Sequence, residues 1–432
     1  MSADSRPGHD RRTVWSWSLY DFANSAFTTL VVTFLYATYF TQEIAADEIR
    51  GTALWSRGVW LTALIVALAS PVAGAFADRA GFRKLFLLIS SVICIAATGA
   101  LYPVLPGQVV KALTLFVIAN VAFEMGLVFY NAFLPDIAPP DRIGRISGYG
   151  WALGYAGGLL ALVVALFAMV LPDQPWFGLS TENGQNIRAT NLLVAGWFAV
   201  FSVPIFLWVR EDKSRATRGG GVVRASFTQL FESFRAVRRY RQVARFLVAR
   251  MIYNDGLVTV FAFGGIYAAG TFGFTFTEVL VFGIVLNVAA GLGALGMARV
   301  DDRLGGRRTI LISIAGLAAA ALLAIFAPNR PLFWTAGILV GIFSGPNQSA
   351  SRSLMGRFVP PERENEFFGF FAFSGKATAF VGPLMLGVLT TAFGSQRAGM
   401  SIVPVLLVVG GALLLRVDEA EGIAAARRDA GA

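Results

Sequence analysis

The segment GAFADRAGFRK, residues 74–84, returns in weaker form as ARVDDRLGGRR, residues 298–308, an offset of 224 positions. A second pair, PPDRIGRISGYG (139–150) and PPERENEFFGFF (360–371), is offset by 221. Two unrelated segments repeated at nearly one distance indicate a duplicated chain. Asp21 and Asp255 form a rough third pair, each in an apolar run. The copies fall at the ends of such runs, so the repeated unit is a set of helices.

The runs identify the medium. Of 432 residues, 56% are hydrophobic and only 14% charged, with 37 phenylalanines. A bilayer span needs roughly 20 apolar residues. Twelve runs qualify, at 15–42, 54–77, 84–105, 109–134, 147–171, 190–209, 244–269, 276–298, 308–327, 332–355, 367–391 and 399–416. The expected fold is an all-α membrane protein of twelve transmembrane helices in two pseudo-symmetric six-helix halves, residues 1–209 and 244–432. The segment 210–243 joins them as a linker. Within SFTQLFESFRAVRRYRQVARF (226–246), apolar residues at helical spacing alternate with arginines. This pattern predicts a basic amphipathic helix on a lipid surface. The first apolar run is too long for a signal-peptide core and is read as a retained span.

Charge placement gives orientation. Of 36 Lys and Arg, only Arg50, Arg57, Lys111, Arg188, Arg330 and Arg397 fall on the side opposite the N-terminus, and Arg250 and Lys376 lie inside spans. The bias predicts both termini in the cytoplasm. The formal charge of +10 at pH 7 is then a property of cytoplasmic loops, not of a nucleic-acid surface. Cys94 is the single cysteine and His9 the single histidine. A disulfide within the chain, a Cys-based metal site and a histidine relay are thereby excluded. No phosphate-binding G-x-x-x-x-G-K-[ST] loop is present, and no residues suggest an enzyme, a metal or a cofactor.

Polar residues inside spans mark the candidate pathway, because buried charge in lipid is expensive. At about 100° per residue, Asp21, Asn24, Ser25 and Thr28 share one helical face. Asn120, Glu124 and Asn131 share another, as do Ser344, Gln348 and Ser351, and Asp255 with Thr259. These stripes occur in spans one, four, ten and seven, the first helix of each three-helix unit. They predict an aqueous cavity shared by the halves. Glu124 is a candidate proton carrier or solute ligand, or a structural partner of Arg250 or Lys376. Trp15, Trp17 and Tyr20 are expected as interfacial anchors. Gly150, Gly154 and Gly158 are expected to pack helices closely.

GAFADRAGFRK resembles the loop signature of the major facilitator superfamily, G-x-x-x-D-R-x-G-x-[RK]-[RK], and ARVDDRLGGRR resembles its second copy, with Ala298 in place of the first glycine. YDFANSAF (20–27), FYNAFLPDIA (129–138), YNDG (253–256), GPNQSASRS (345–353) and EFFGFFAFSGK (366–376) are similar to the autophagy-related vacuolar amino-acid effluxers of fungi and their bacterial relatives. The resemblance implies the major facilitator fold and secondary transport of a small solute by alternating access, directed outward. Amino acids are the nearest candidate solutes, and proton coupling is left open. It also implies a gating role for Gly74, Asp78, Arg79, Gly81, Arg83, Asp136, Asp302 and Arg303. Asp78 is expected to meet the start of span eleven, and Arg79 and Arg83 to pair with Asp136. Asp21, Asn24, Asn120, Glu124, Asn131, Asn254, Asp255, Asn347, Gln348 and Lys376 are the expected solute and proton pathway. The expected setting is a bacterial inner membrane, with a monomer embedded in lipid. A channel or a transport-dead receptor is the alternative.

Overall fold

The computed structural model describes residues 10–45, 48–211, 240–361 and 363–430. Among these the regular structure is helical throughout, with no strand. The amphipathic segment expected at 226–246 lies mostly outside the described residues. Among the described residues nine helices are long and apolar enough to cross a membrane. The three remaining runs are helical too, but differ in ways their sequences explain.

The first run starts as α1 (Arg11–Ala26), where the Asp10 side chain accepts a hydrogen bond from Arg12 N–H at 3.2 Å. It then widens into π-helical turns over Phe27–Phe34 and Phe40–Ile44, separated by α2 (Leu35–Tyr39). Thr28, Thr29, Val31, Val32 and Thr33 supply a β-branched run of lowered helix propensity, and the first π-helical stretch falls on it. The third run is α4 (Arg83–Gly99), only 17 residues long. The tenth is an uninterrupted helix, Arg330–Phe358, diluted in hydropathy by its Ser, Asn, Gln and Arg residues.

The chain forms two compact units, and their boundaries are not a simple cut. The first comprises Met1–Ser70, Ala80–Asn131 and Leu153–Thr217. It holds α1, most of α3 (Glu48–Ala80), α4, most of α5 (Val109–Ala132), the later part of α7 (Ile143–Ala165) and α8 (Gln185–Trp208). Its core is aromatic. Trp17 stacks on Tyr130 at 4.6 Å between ring centroids and Tyr20 on the same ring at 4.9 Å. The Trp17 indole donates to Tyr130 O at 3.1 Å, and Tyr20 hydroxyl lies 2.8 Å from Ser91 Oγ. Trp17 and Tyr20 are therefore core residues and not interfacial anchors; only Trp15, half exposed, keeps a position suited to that role. A buried indole and phenol require polar partners, and this unit provides them. Of the expected glycines, Gly154 and Gly158 of α7 pack on α1, where a Cβ would stand 3.5 Å from Asp21 O and 3.2 Å from Ser25 O, respectively. A Cβ on Gly157 would stand 2.7 Å from Phe22 Cα.

The second unit comprises Pro71–Arg79, Ala132–Ala152 and Arg218–Ala432. It contains the end of α3, α6 (Leu134–Ile137) and the start of α7. With them are α9 (Arg241–Phe272), α10 (Phe276–Leu304), α11 (Gly306–Phe326), α12 (Arg330–Phe358) and α13 (Glu364–Lys376). α14 (Val381–Phe393), α15 (Gln396–Met400), α16 (Ile402–Leu414) and α17 (Glu419–Ala430) complete it. Here α10 and α11 pack on α12, and α9 on α16. Span eleven, read from sequence as one run, is broken at residues 377–380. Pro383 lacks the N–H of an interior helical residue and is tolerated in the first turn of a new helix, α14.

Candidate functional site

The charged end of the second unit carries two matching contacts, each made by the aspartate of a repeated segment. Asp78, near the end of α3, reaches the first turn of α13. Its Oδ1 accepts from Asn365 N–H at 3.0 Å and from Asn365 Nδ2 at 2.6 Å; Oδ2 accepts from Glu366 N–H at 2.8 Å. The first N–H groups of a helix have no partner inside it, and that end is electropositive. One carboxylate answers both needs. The approach depends on Gly74, one turn earlier, where a Cβ would lie 2.6 Å from the carbonyl carbon of Asn365 and 2.9 Å from Glu366 Cα.

The second copy repeats this with the space moved across the contact. Asp302 Oδ1 accepts from Arg145 N–H at 3.1 Å in the first turn of α7, and Arg145 Nε lies 3.3 Å from Oδ2. Ala298 occupies the position of Gly74, but the facing residue is Gly148. A Cβ there would stand 2.6 Å from Ala298 Cβ and 2.9 Å from Ala294 O. A glycine on either side of the contact suffices. The loop glycines of both copies, Gly81 (φ +64°) and Gly305 (φ +89°), occupy backbone regions unfavourable to other residues.

A buried ionic cluster adjoins the second copy. Arg357 Nη1 donates to Asp301 Oδ1 at 2.7 Å, and Ser353 hydroxyl donates to the other Asp301 oxygen. Arg357 also lies 3.5 Å from Glu419 Oε1 of α17. The Glu419 carboxylate accepts from Gly306 N–H and Arg307 N–H, each at 3.0 Å, so it caps α11. Arg352, 3% exposed, donates to Ser147 Oγ at 3.0 Å and to Ser147 O at 2.7 Å, while Ser147 hydroxyl donates to Ser349 O at 2.8 Å.

Asp301, Arg352, Arg357, Ser147 and Glu419 were not among the sequence candidates. One signal was available: arginines at the end of an apolar run require buried acceptors. Arg303, Asp136, Arg83 and Arg79 are the other candidates of this group. Arg303 is exposed and makes no hydrogen bond or ion pair among the described residues. Asp136 is exposed on α6, Arg83 is buried in the first unit, and the Arg79 side chain lies outside those described.

Along the spans, Asp21, Asn24 and Asn120 are buried in the first unit, and Glu124 and Asn131 are half-buried. Asn24 Nδ2 has no hydrogen-bond partner among the described residues. Gly154 of α7 lets this face approach closely, since a Cβ there would be 2.9 Å from Ser25 Oγ. In the second unit Asn347 is buried, also with an unanswered Nδ2, and Gln348 is half-buried. Asn254 donates to Gly375 O at 3.3 Å, and Lys376 is the half-buried last residue of α13. Arg250 lies 3.6 Å above the Phe371 ring and donates to Phe371 O and Ser374 Oγ at 2.8 and 2.7 Å. Asp255 is buried opposite the break in span eleven. Among the described residues no three His, Cys, Asp or Glu side chains converge as metal ligands would.

The sequence matches the family described as "Vacuole effluxer Atg22 like" over residues 49–144 and 139–427. It is 26% identical over 407 residues to the MFS-type transporter YxiO of Bacillus subtilis, covering 94% of each chain. It is 22% identical over 449 aligned positions to autophagy-related protein 22 of Yarrowia lipolytica, covering 83% of this chain and 74% of the relative. Among solved structures, the proton:xylose symporter XylE superposes with a TM-score of 0.72 over 95% of this chain and 96% of its own, at 14% identity. The human organic anion transporter MFSD10 gives 0.74 over 94% and 99%, also at 14%. These likenesses show the major facilitator fold.

Proposed function

The chain belongs to the family of Atg22-like vacuole effluxers, whose fold and relatives are those of membrane transport, and on that premise we propose that it exports a small solute by alternating access. Amino acids are the first candidate substrates, and a proton gradient the first candidate driving force. The observation that carries this proposal is the pair of aspartate contacts at the charged end of the second unit. A charge at a helix terminus contributes about 0.3–2 kcal/mol. That is small enough to be released in a working cycle and large enough to bias a two-state equilibrium.

The charge bias of the sequence favours both termini and this end in the cytoplasm, and the likeness to the Bacillus subtilis transporter favours a bacterial plasma membrane. The aspartate contacts then hold the cytoplasmic side closed. Asp21, Asn24, Asn120, Glu124 and Asn131, with Asn254, Asp255, Asn347, Gln348 and Lys376, are proposed to line the solute and proton route. Gly74, Asp78, Gly81 and Asp302, with Asp301, Arg352 and Arg357, are proposed to govern closure. The working unit is proposed to be the monomer.

The test is a screen of amino acids and other small solutes in proteoliposomes, with and without an imposed pH gradient. Saturable, gradient-dependent accumulation supports the proposal. Flux that only dissipates a gradient indicates a channel, and no flux of any solute indicates a non-transporting protein.

A further inference from the structure

Asp255 stands midway along α9, and the gap between α13 and α14 stands midway along span eleven. The two meet at one hydroxyl. Thr378 Oγ1 is 3.3 Å from Asp255 Oδ1 and 3.2 Å from Met251 O. Asp255 is only 2% exposed, and among the described residues no Lys or Arg pairs with it. An ionised carboxylate so placed is costly in a membrane interior.

Hydrogen counting gives the site its character. The threonine hydroxyl carries one hydrogen. If the carboxyl is ionised, both of its neighbours are acceptors, and one of the two contacts has no proton. A proton on Asp255 supplies it: the acid donates to Thr378 Oγ1, and Thr378 donates to Met251 O. When that proton leaves, the hydroxyl turns to Oδ1 and releases Met251 O. That carbonyl keeps its helical partner, the N–H four residues on, which is that of Asp255 itself. Rotation of one hydroxyl separates the two states.

Among the described residues no ion pair joins this carboxyl to the charged groups of the elements packed around it. On α9, Arg250 is engaged by Phe371 O and Ser374, and Tyr253 hydroxyl faces Ser351 of α12 at 2.8 Å. Lys376 ends α13, two residues before Thr378. α14 and α16 contain no ionisable side chain. The acids of α10 lie at its ends, Arg352 and Arg357 of α12 are held by Ser147 and Asp301, Arg330 at the start of α12 by Glu278 and Gly273 O, and Arg397 of α15 by Ala327 O. Nearby carbonyls are occupied as well: Gly375 O accepts from Asn254, and Asp255 O from Thr259 at 2.7 Å. Among the described residues no group of three His, Cys, Asp or Glu side chains gathers there as metal ligands would.

We propose that Asp255 and Thr378 form a proton-binding site at the break of span eleven, and that this site couples solute movement to a proton gradient. The coupling role rests on the transport function proposed above; proton binding by itself does not. Dicyclohexylcarbodiimide enters apolar sites and modifies protonated carboxyl groups, so residue-resolved mass spectrometry of the full chain in liposomes reads the site directly.

Asp255 should be labelled at acidic and neutral pH and lose labelling as pH rises, with no effect of sodium chloride. Thr378→Val should displace the midpoint of that loss, and Thr378→Ser should restore it. Asp255→Asn should lose both the label and pH-driven leucine flux. An unlabelled Asp255 beside a labelled Asp21 or Glu124, or labelling suppressed by sodium, overturns the site. Gradient-driven leucine flux retained in Asp255→Asn overturns its coupling role. Absence of wild-type flux for leucine and every other screened solute contradicts the transport function and leaves the labelling result to decide proton binding.

Discussion

At the residue scale, the repeated segments show how one contact tolerates two sequences. Gly74 and Gly148 lie on opposite sides of equivalent helix approaches, and each removes the Cβ that would collide. Gly148→Ala should therefore destabilise the protein by about 1–3 kcal/mol through overpacking. Adding Ala298→Gly should recover much of that loss, because the second change returns the missing space. Thermal unfolding of the two single variants and the double variant in detergent measures the coupling, expected at about 0.5–3 kcal/mol; additive effects would contradict it. The Asp301–Arg357 pair gives a second test. Both side chains are nearly buried, at 2% and 8% exposure. Removing one partner of a buried pair costs about 3–5 kcal/mol, so Arg357→Met should lower the melting temperature sharply. Arg357→Met combined with Asp301→Asn should be milder than Arg357→Met alone, since no lone charge remains.

At the scale of elements, the helix ends carry the argument. α17 follows Asp418, whose side chain accepts from Glu421 N–H at 3.0 Å, with acids in its first turn and Arg427 and Arg428 in its last. Those signals are local, although the helix lies beyond the last apolar run at 399–416. Its Glu419 caps α11, so Glu419→Ala should cost about 0.5–2 kcal/mol, measurable as reduced thermal stability. At the other end of the second unit, Thr275 and Glu278 cap α10 reciprocally, Glu278 accepting from Thr275 N–H at 2.7 Å and Thr275 Oγ1 from Glu278 N–H at 3.3 Å. The Thr275 N–H, with the Thr275 hydroxyl and Arg330, holds the Glu278 carboxyl below the usual carboxylate range. A lowered folded-state pKa gives stability that is fully present above the unfolded value and lost as pH falls through the folded one. Glu278→Gln should consequently trail the wild type near neutral pH and converge with it in acid. A constant difference across pH would contradict this assignment.

At the scale of the molecule, the helical membrane fold was legible because apolar runs of span length are its direct physical requirement. The target of Asp78 was legible as well, because the loop signature carried an expectation about span eleven. What escaped depends on contacts between distant segments. No local pattern marks Gly148 as the complement of Ala298, nor Trp17 and Tyr20 as buried against Tyr130. The break at 377–380 did leave a signal in Gly382 and Pro383, which hydropathy alone smooths over. The central claim is that Asp78 holds one end of the second unit closed and that its release is a step of transport. Ser349, 3% exposed beside Ser147 at that end, reports on closure when replaced by cysteine in a Cys94→Ser background. The decisive measurement is labelling of Ser349→Cys by a membrane-impermeant maleimide applied from the side proposed to be cytoplasmic. Slow labelling that rises several-fold with Asp78→Asn is the predicted result. Equal labelling with and without Asp78 would contradict the account.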